Sequence, residues 1–317
     1  MQYYTKQQMA GGTRYTGKTM IGNWNEDFSA QDGRVMEVLH KAQTGTLKLN
    51  AHTNKLDTQG CPVELTGGTG DGAITLGEPI EIVSTATGSR LAVDLDERSP
   101  GQSMVTGTTG ETYGGPSARC TFVLEQYVPP KENAYDSVYE GPALRYGMKV
   151  RVLVNAAALG ADAADTGKAG ETTRALCSAP KSSGALARLS KHQAVAVADD
   201  ATTPYHCVWQ VVTPRASERV VSEGLEVLQG APVALVHCAT LTPLCMEGPH
   251  MVLTDFGYEH EVSCHADVSS GRVDAMDSLF QGKHLRDNNV FILNIGFDPD
   301  APAAEGAAPA GEAAAEE

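Results

Sequence analysis

No run of 18 consecutive apolar residues occurs in these 317 residues, so no membrane-spanning helix is expected. The opening residues, MQYYTKQQMAGG, lack a hydrophobic core segment, which argues against a secretory signal. No N-x-Ser/Thr glycosylation sequon occurs. Aromatic residues are sparse at 6%, with only two Trp and six Phe. Basic residues are scarce as well: 24 Lys and Arg stand against 39 Asp and Glu, a net charge of −15, which disfavours nucleic acid as a partner. The seven Cys are odd in number and scattered, and several lie inside apolar runs. They read as reduced, buried thiols of a cytosolic-type compartment and not as a disulfide framework.

What is present is a chain of soluble balance, 41% hydrophobic and 20% charged, with 33 Gly and 16 Pro spread along it. A region of this size can bury roughly 70% of its unfolded surface without disulfides or metal. Charge is unevenly placed. Residues 298–317 carry two Asp and four Glu with no base, whereas residues 1–20 carry Lys6, Arg14 and Lys18 with no acid.

Gly12 to Thr19, GTRYTGKT, satisfies the phosphate-cradling pattern G-x-x-x-x-G-K-[ST]. That chemistry needs a buried strand just before the loop and a helix just after it. YYTKQQMAG supplies no such strand, and MIGNWNEDF opens with Gly22 and two Asn, a poor helix start. The stretch therefore reads as a flexible arm with two basic residues, and no nucleotide or other cofactor is expected.

The body repeats itself three times. ITLGEPIEIV (74–83), LRYGMKVRVL (144–153) and VLQGAPVALV (227–236) align on a glycine. Each has an aliphatic residue three before it (Ile74, Leu144, Val227) and apolar residues three and five after it, the alternation of a half-buried strand entered from a tight turn. A second strand follows in each: SRLAV (89–93), RALCS (174–178) and PLCME (243–247). From glycine to central Leu is 14 residues in units one and three and 29 in unit two, where AAALGADAADTGKAGE (156–171) is inserted as a loop. Each unit closes on an aromatic strand, RCTFVLEQ (119–126), HCVWQVV (206–212) or NVFILNI (289–295). Three such units predict an all-β fold, a β-trefoil over residues 46–297 with long loops.

Before the body, residues 1–28 read as an extended arm. Within 29–45, Val35, Val38, Leu39 and Ala42 fall at i, i+3, i+4 and i+7 and predict one short amphipathic helix, capped by Ser29 or Asp32 and stopped at Gly45. That helix is expected to pack on its own domain. The tail, 298–317, is low-complexity, acidic and expected to be disordered.

His237, Cys238, Cys245, His250, His260, Cys264 and His265 crowd into 29 residues, yet lack the tight ligand pairs of structural zinc. Adjacent ligands such as His237–Cys238 point to opposite faces of a strand. No metal site is expected. Asp255, Glu259 and Glu261 in DFGYEHE read as a solvated face, and no nucleophile elbow occurs. The chain is expected to have no catalytic site. In IGNWNED (21–27), Trp24 between Asn23 and Asn25 has the composition of an interface anchor. The candidate partner-binding residues are Arg14, Lys18, Gly22, Asn23, Trp24 and Asn25.

Taken with RYGMKVRVLVN (145–155), HCVWQVV (206–212) and GAPVALVHCATLTPL (230–244), IGNWNED gives a chain that resembles the cilia- and flagella-associated protein 161 family over about residues 20–296. The arm before Thr19, the 156–171 loop and the acidic tail depart from that family's pattern. The resemblance implies a MIR-like β-trefoil body and a structural, non-enzymatic role. It implies a microtubule inner protein on the luminal wall of the A-tubule of axonemal doublet microtubules, stabilising the lattice for beating. The implied partners are tubulin and other inner proteins, in the cytoplasmic cytoskeleton of a cilium or flagellum; no membrane, nucleic acid or small-molecule ligand is expected. A soluble ligand-binding module of the same fold is the competing class.

Overall fold

The computed structural model describes residues 23–45, 47–66, 72–99, 102–108, 115–128, 139, 141–159, 174–181, 186–199, 204–267 and 285–296. The Gly12–Thr19 motif, most of the 156–171 insertion and the acidic tail lie outside them. The chain divides into two units, Met1–Asp57 and Thr58–Glu317.

The first unit is helical. Helix α1 spans Asn23–Gln43, with His40 and Lys41 in its last turn, where cations meet the negative end of the helix dipole. It begins six residues before the expected start, so Asn23, Trp24 and Asn25 belong to its first turn and not to an extended arm. The predicted stop holds. Thr44 N donates to His40 O at 2.9 Å, and Gly45 follows at φ 71°, a conformation that a side chain would strain. A second helix, α2 (Lys48–Gln59), was not expected. Leu49 and Leu56 are its only large apolar residues, too few to show a helical period.

The second unit holds twelve strands: β1 (Pro79–Ser84), β2 (Arg90–Ser99), β3 (Gln102–Thr108), β4 (Thr121–Gln126), β5 (Lys149–Val154), β6 (Arg174–Ser178), β7 (Gln193–Asp199), β8 (Val208–Val212), β9 (Pro232–His237), β10 (Thr242–Thr254), β11 (Gly257–Cys264) and β12 (Phe291–Asn294). All pair antiparallel. β1 pairs with β12, and the sheet runs on through β9, β8 and β5, with β4 joining β5 back to β1. The hairpins β2–β3, β6–β7 and β10–β11 extend from β1, β5 and β9, and meet one another through β3–β7, β3–β11 and β7–β11 pairings.

This corrects the β-trefoil expectation. The hairpins are not a separate cap on a small barrel: all twelve strands are hydrogen-bonded into one antiparallel sheet that closes as a β-barrel. Long bulged strands make that continuity possible. The register of β10 against β11 shifts between Glu247 and Met251, and that of β2 against β3 shifts twice after Asp94.

The three repeated segments meet in space. Leu144 N donates to Ile74 O at 2.7 Å, Val227 N to Leu144 O at 2.8 Å and Ile74 N to Val227 O at 3.0 Å, a cyclic ring of the three aligned aliphatic residues. Gly77, Gly147 and Gly230 follow at φ 87°, 89° and 80°. Each donates its amide to the strand that closes its unit, to Leu124, Val211 and Leu293. Leu91, Leu176 and Leu244 are fully buried in one core with Phe122, Trp209 and Phe291. The Trp209 indole N–H, which burial would leave unsatisfied, donates to Leu176 O at 2.8 Å.

Candidate partner-binding surface

Of the six residues singled out in the sequence, Arg14, Lys18 and Gly22 lie outside the described residues. Asn23, Trp24 and Asn25 are consecutive helical residues of α1. What the structure adds is the rest of that helix. At 21 residues it is about 31 Å long, above the roughly 12–15 residues an isolated helix needs to be marginally stable. Lys41 Nζ bonds Glu37 Oε1 at 2.6 Å, an i,i+4 pair that supports it locally. Gly33 in its middle opposes it by about 1 kcal/mol relative to Ala.

The apolar stripe read from the sequence is present but uncovered. Val35 is 50% exposed, Val38 55%, Leu39 51% and neighbouring Met36 66%, and Ala42 is exposed as well. Within the first unit no described residue buries this face, so the expectation that it packs on its own domain is not met there. Periodicity identifies an apolar face but carries no information about what covers it. Leu49 at the start of α2 is also exposed. No helix among the described residues is long and apolar enough to cross a membrane.

The barrel's described buried acids are held by hydrogen bonds and an ion pair. Arg119 and Glu259 are both buried. Arg119 Nη2 lies 2.8 Å from Glu259 Oε1 and donates to Oε2 at 2.9 Å, and the guanidinium carbon sits 3.6 Å from the centre of the Phe256 ring. Thr106 and Thr254 donate their hydroxyls to the same carboxylate oxygen at 2.8 and 3.0 Å. Glu261, also buried, accepts the backbone amides of Leu189 and Ser190, each at 2.7 Å. Of the three acids read as a solvated face, Asp255 is exposed, whereas Glu259 and Glu261 are not. The alternation placed 259 and 261 on one side correctly, but that side looks inward, and the cation that makes this tolerable is 140 residues away.

Among the described residues, the closest approach to catalytic geometry is Ser263, Glu247 and His192. Ser263 Oγ donates to Glu247 Oε1 at 2.6 Å, and His192 Nδ1 lies 2.5 Å from the same oxygen. A hydrolytic triad needs the imidazole between serine and carboxylate, so that a base can take the hydroxyl proton. Here the carboxylate holds both, and Ser263 is fully buried. His265 stacks on His192 with ring centres 3.8 Å apart; burial, and then the neighbouring His192 imidazole, hold its pKa below the usual imidazole value.

The other potential metal ligands disperse. His237 is buried, with Nδ1 on Thr240 Oγ1 and Nε2 on His206 O, and burial lowers its pKa. Cys245 and Cys264 are core thiols; burial pushes Cys264 up to about 12. Among the described residues, no three His, Cys, Asp or Glu side chains are grouped as a metal site. A cavity of about 380 Å³ opens among Tyr146, Gln210, Thr213, Arg219, Ser222 and Glu223. Its polar groups largely satisfy one another: Thr213 Oγ1 bonds Ser222 Oγ at 2.6 Å, Arg219 donates to the Thr213 and Pro214 carbonyls, and Gln210 donates to Gly147 O.

No protein-family profile matches the chain. Among solved structures, it is similar to an SDF2-like protein from Arabidopsis thaliana, at 15% identity and a TM-score of 0.45, covering 70% of this chain and 94% of that one. It is also similar to a Caenorhabditis elegans protein of unknown function, at 17% identity and a TM-score of 0.46, covering 72% and 98%. Likenesses this distant carry no argument about function. Among curated proteins, one from Danio rerio is 22% identical over 306 residues, 90% of this chain and 94% of its own length. That relative is cilia- and flagella-associated protein 161, which supports over 90% of this chain the resemblance read from IGNWNED, RYGMKVRVLVN, HCVWQVV and GAPVALVHCATLTPL.

Proposed function

We propose that this protein is a structural microtubule inner protein of cilia or flagella, bound to the luminal wall of axonemal doublet microtubules, where it stabilises the lattice. The observation that carries the proposal is the colinear similarity to a cilia- and flagella-associated relative across 90% of this chain and 94% of the other. Three features of the molecule support it. The most nearly catalytic cluster, Ser263–Glu247–His192, has the wrong order of groups for hydrolysis. The cavity's polar groups are largely engaged with one another. Within the first unit, no described residue covers the apolar face of α1.

Salt extraction of demembranated axonemes tests the proposal. Soluble and exterior proteins wash away in high salt, while a protein enclosed in the lumen stays with the doublets until their wall is opened. The expected result is retention through the salt wash and release only with the wall. Release with the first wash would overturn the reading and leave a soluble protein whose 380 Å³ cavity then becomes the place to look for a ligand.

A further inference from the structure

We propose that residues 186–192 form a proton-operated latch over two buried carboxylates, shut by His192 and loosened when the stacked His192–His265 pair takes up a second proton. The latch belongs to the barrel itself and does not depend on the inner-protein reading.

The carboxylates create the need for it. Glu247 of β10 and Glu261 of β11 stand directly opposite each other in the strand register, and both are buried. Like charges so placed repel, and burial leaves little water to solvate them. The segment before β7 meets both. Leu189 and Ser190 donate their amides to the two oxygens of Glu261, each at 2.7 Å. His192 Nδ1 lies 2.5 Å from Glu247 Oε1, the oxygen that also accepts the Ser263 hydroxyl at 2.6 Å. Ala187 N donates to His192 O at 2.8 Å and closes the segment on itself. Among the described groups bonded to the two carboxylates, His192 is the one that can carry a positive charge.

His265 makes that bond sensitive to protons. Its ring lies on His192 with 3.8 Å between centres and 12° between planes. Its backbone is anchored elsewhere: His265 N donates to Pro243 O at 3.1 Å, and His265 O accepts from Asn289 Nδ2 at 2.7 Å. The end of β11 therefore stays in place when the segment moves. The described charged groups facing His265 are Glu247 from β10, Asp267 beyond β11 and Lys181 beyond β6. Arg286 binds Asp267 at 3.3 Å, and Lys191 of the segment turns back to Arg188 O. Burial pushes the nearby Cys245 thiol up, so it stays neutral. Burial, then the His192 imidazole, hold the His265 pKa below its ordinary value; Lys181 adds to this, and Glu247 and Asp267 offset part of it.

Two protons act in opposite senses. The first, on His192, gives Glu247 a charge-assisted bond and tightens the latch. The second, on His265, sets two like charges face to face, and the pair titrates as one coupled unit. Lifting His192 away uncovers His265 and removes the neighbouring ring, the two leading causes that keep a proton off it. The open segment thus binds a proton that the closed one refuses. By linkage, closure is fully favoured above the ordinary imidazole pKa of about 6.5 and weakens as pH falls below it.

Hydrogen exchange of the full-length protein, corrected for intrinsic rates, reads the Leu189 and Ser190 amides at about pH 7.5 and about pH 5. Wild-type protection there should fall several-fold across that range, about tenfold for each unit by which closure lowers the His265 pKa. The Trp209 and Val211 amides of β8 serve as the reference and should hold theirs. His265→Phe keeps a flat stacking partner without its proton, and its protection should not change with pH. His265→Gln gives the same comparison with a smaller side chain if the phenylalanine does not fold.

Wild-type protection equal at both pH values would overturn the latch. An equal acid loss in the proton-free variants would assign the effect to the carboxylates and remove the role of the stack. A parallel loss at Trp209 and Val211 would mean that the whole barrel unfolds, and the idea of a local latch would be wrong.

Discussion

Replacing Glu259 by alanine removes the counter-charge of a guanidinium that has no route to water. Arg119 is fully buried, bonded to Glu259 at 2.8–2.9 Å and to Val93 O at 3.4 Å, with Phe256 beneath its plane. Two further donors, the Thr106 and Thr254 hydroxyls, lose their acceptor in the same substitution. An uncompensated buried charge costs about 3–5 kcal/mol. Each stranded hydroxyl could add about 1–3 kcal/mol, but a hydroxyl can rotate to a backbone carbonyl, so the expected total stays near 3–5 kcal/mol. The contact with Phe256 is worth about 2 kcal/mol when desolvated and is present in both proteins, so it cancels. With a urea m-value near the upper end of about 1–3 kcal/mol/M, the unfolding midpoint should fall by roughly 1–2 M. The companion variant Arg119→Met/Glu259→Leu should recover most of that loss, because replacing both ions leaves no orphan. A Glu259→Ala protein within about 1 kcal/mol of wild type would refute the reasoning, since water would then have to reach Arg119.

The turn glycines give a paired prediction: Gly147→Ala places a Cβ 2.9 Å from Tyr139 Oη and 3.0 Å from Glu223 Cγ at φ 89°, whereas Gly230→Ala at φ 80° meets nothing within 4 Å. Thermal melts should show about 1–2 kcal/mol of left-handed strain for both, with only a small further loss for Gly147→Ala because the Tyr139 hydroxyl and the Glu223 side chain can move aside. Gly33→Ala has open space and an ordinary backbone, so it should stabilise α1 by about 1 kcal/mol, read as roughly fivefold slower amide exchange over residues 34–43. Cys264 is the alkaline probe. Its folded pKa is pushed up to about 12, so between pH 9 and 12 the unfolded chain releases a proton that the folded one keeps. Stability should therefore fall as pH rises through that window, by up to about 1.4 kcal/mol per pH unit for this thiol, and Cys264→Ala should flatten the slope.

The parts of this molecule that were legible in its sequence are those fixed by local chemistry. Ile74, Leu144 and Val227 could be aligned because each stands three residues before a glycine in a turn that disfavours a side chain, and they meet in one hydrogen-bonded ring. The end of α1 was legible for the same reason, since Gly45 takes a left-handed backbone. Long-range pairing was not legible. Nothing in QSMVTGT or QAVAVAD announces that β3 and β7 pair with each other and both with β11, and it is those contacts that turn hairpins into one closed sheet. Glu259 failed for a related reason: period-two alternation gives a residue's side of the strand, while its environment depends on Arg119, far away in sequence.

The same limit governs α1, and there it bears on function. Spacing alone shows that Val35, Val38, Leu39 and Ala42 share a face, and in a self-contained domain such a face would be covered by the rest of the chain. In the first unit it is exposed, while the barrel buries its Arg119–Glu259 pair. The first unit therefore offers a direct check on its independence from the barrel. Glu259→Ala should lower the barrel's melting temperature, whereas Val35→Asp/Val38→Asp/Leu39→Asp should leave it unchanged. If the stripe variant lowered that melting temperature as strongly as Glu259→Ala does, the barrel's stability would depend on this face and the reasoning would be wrong.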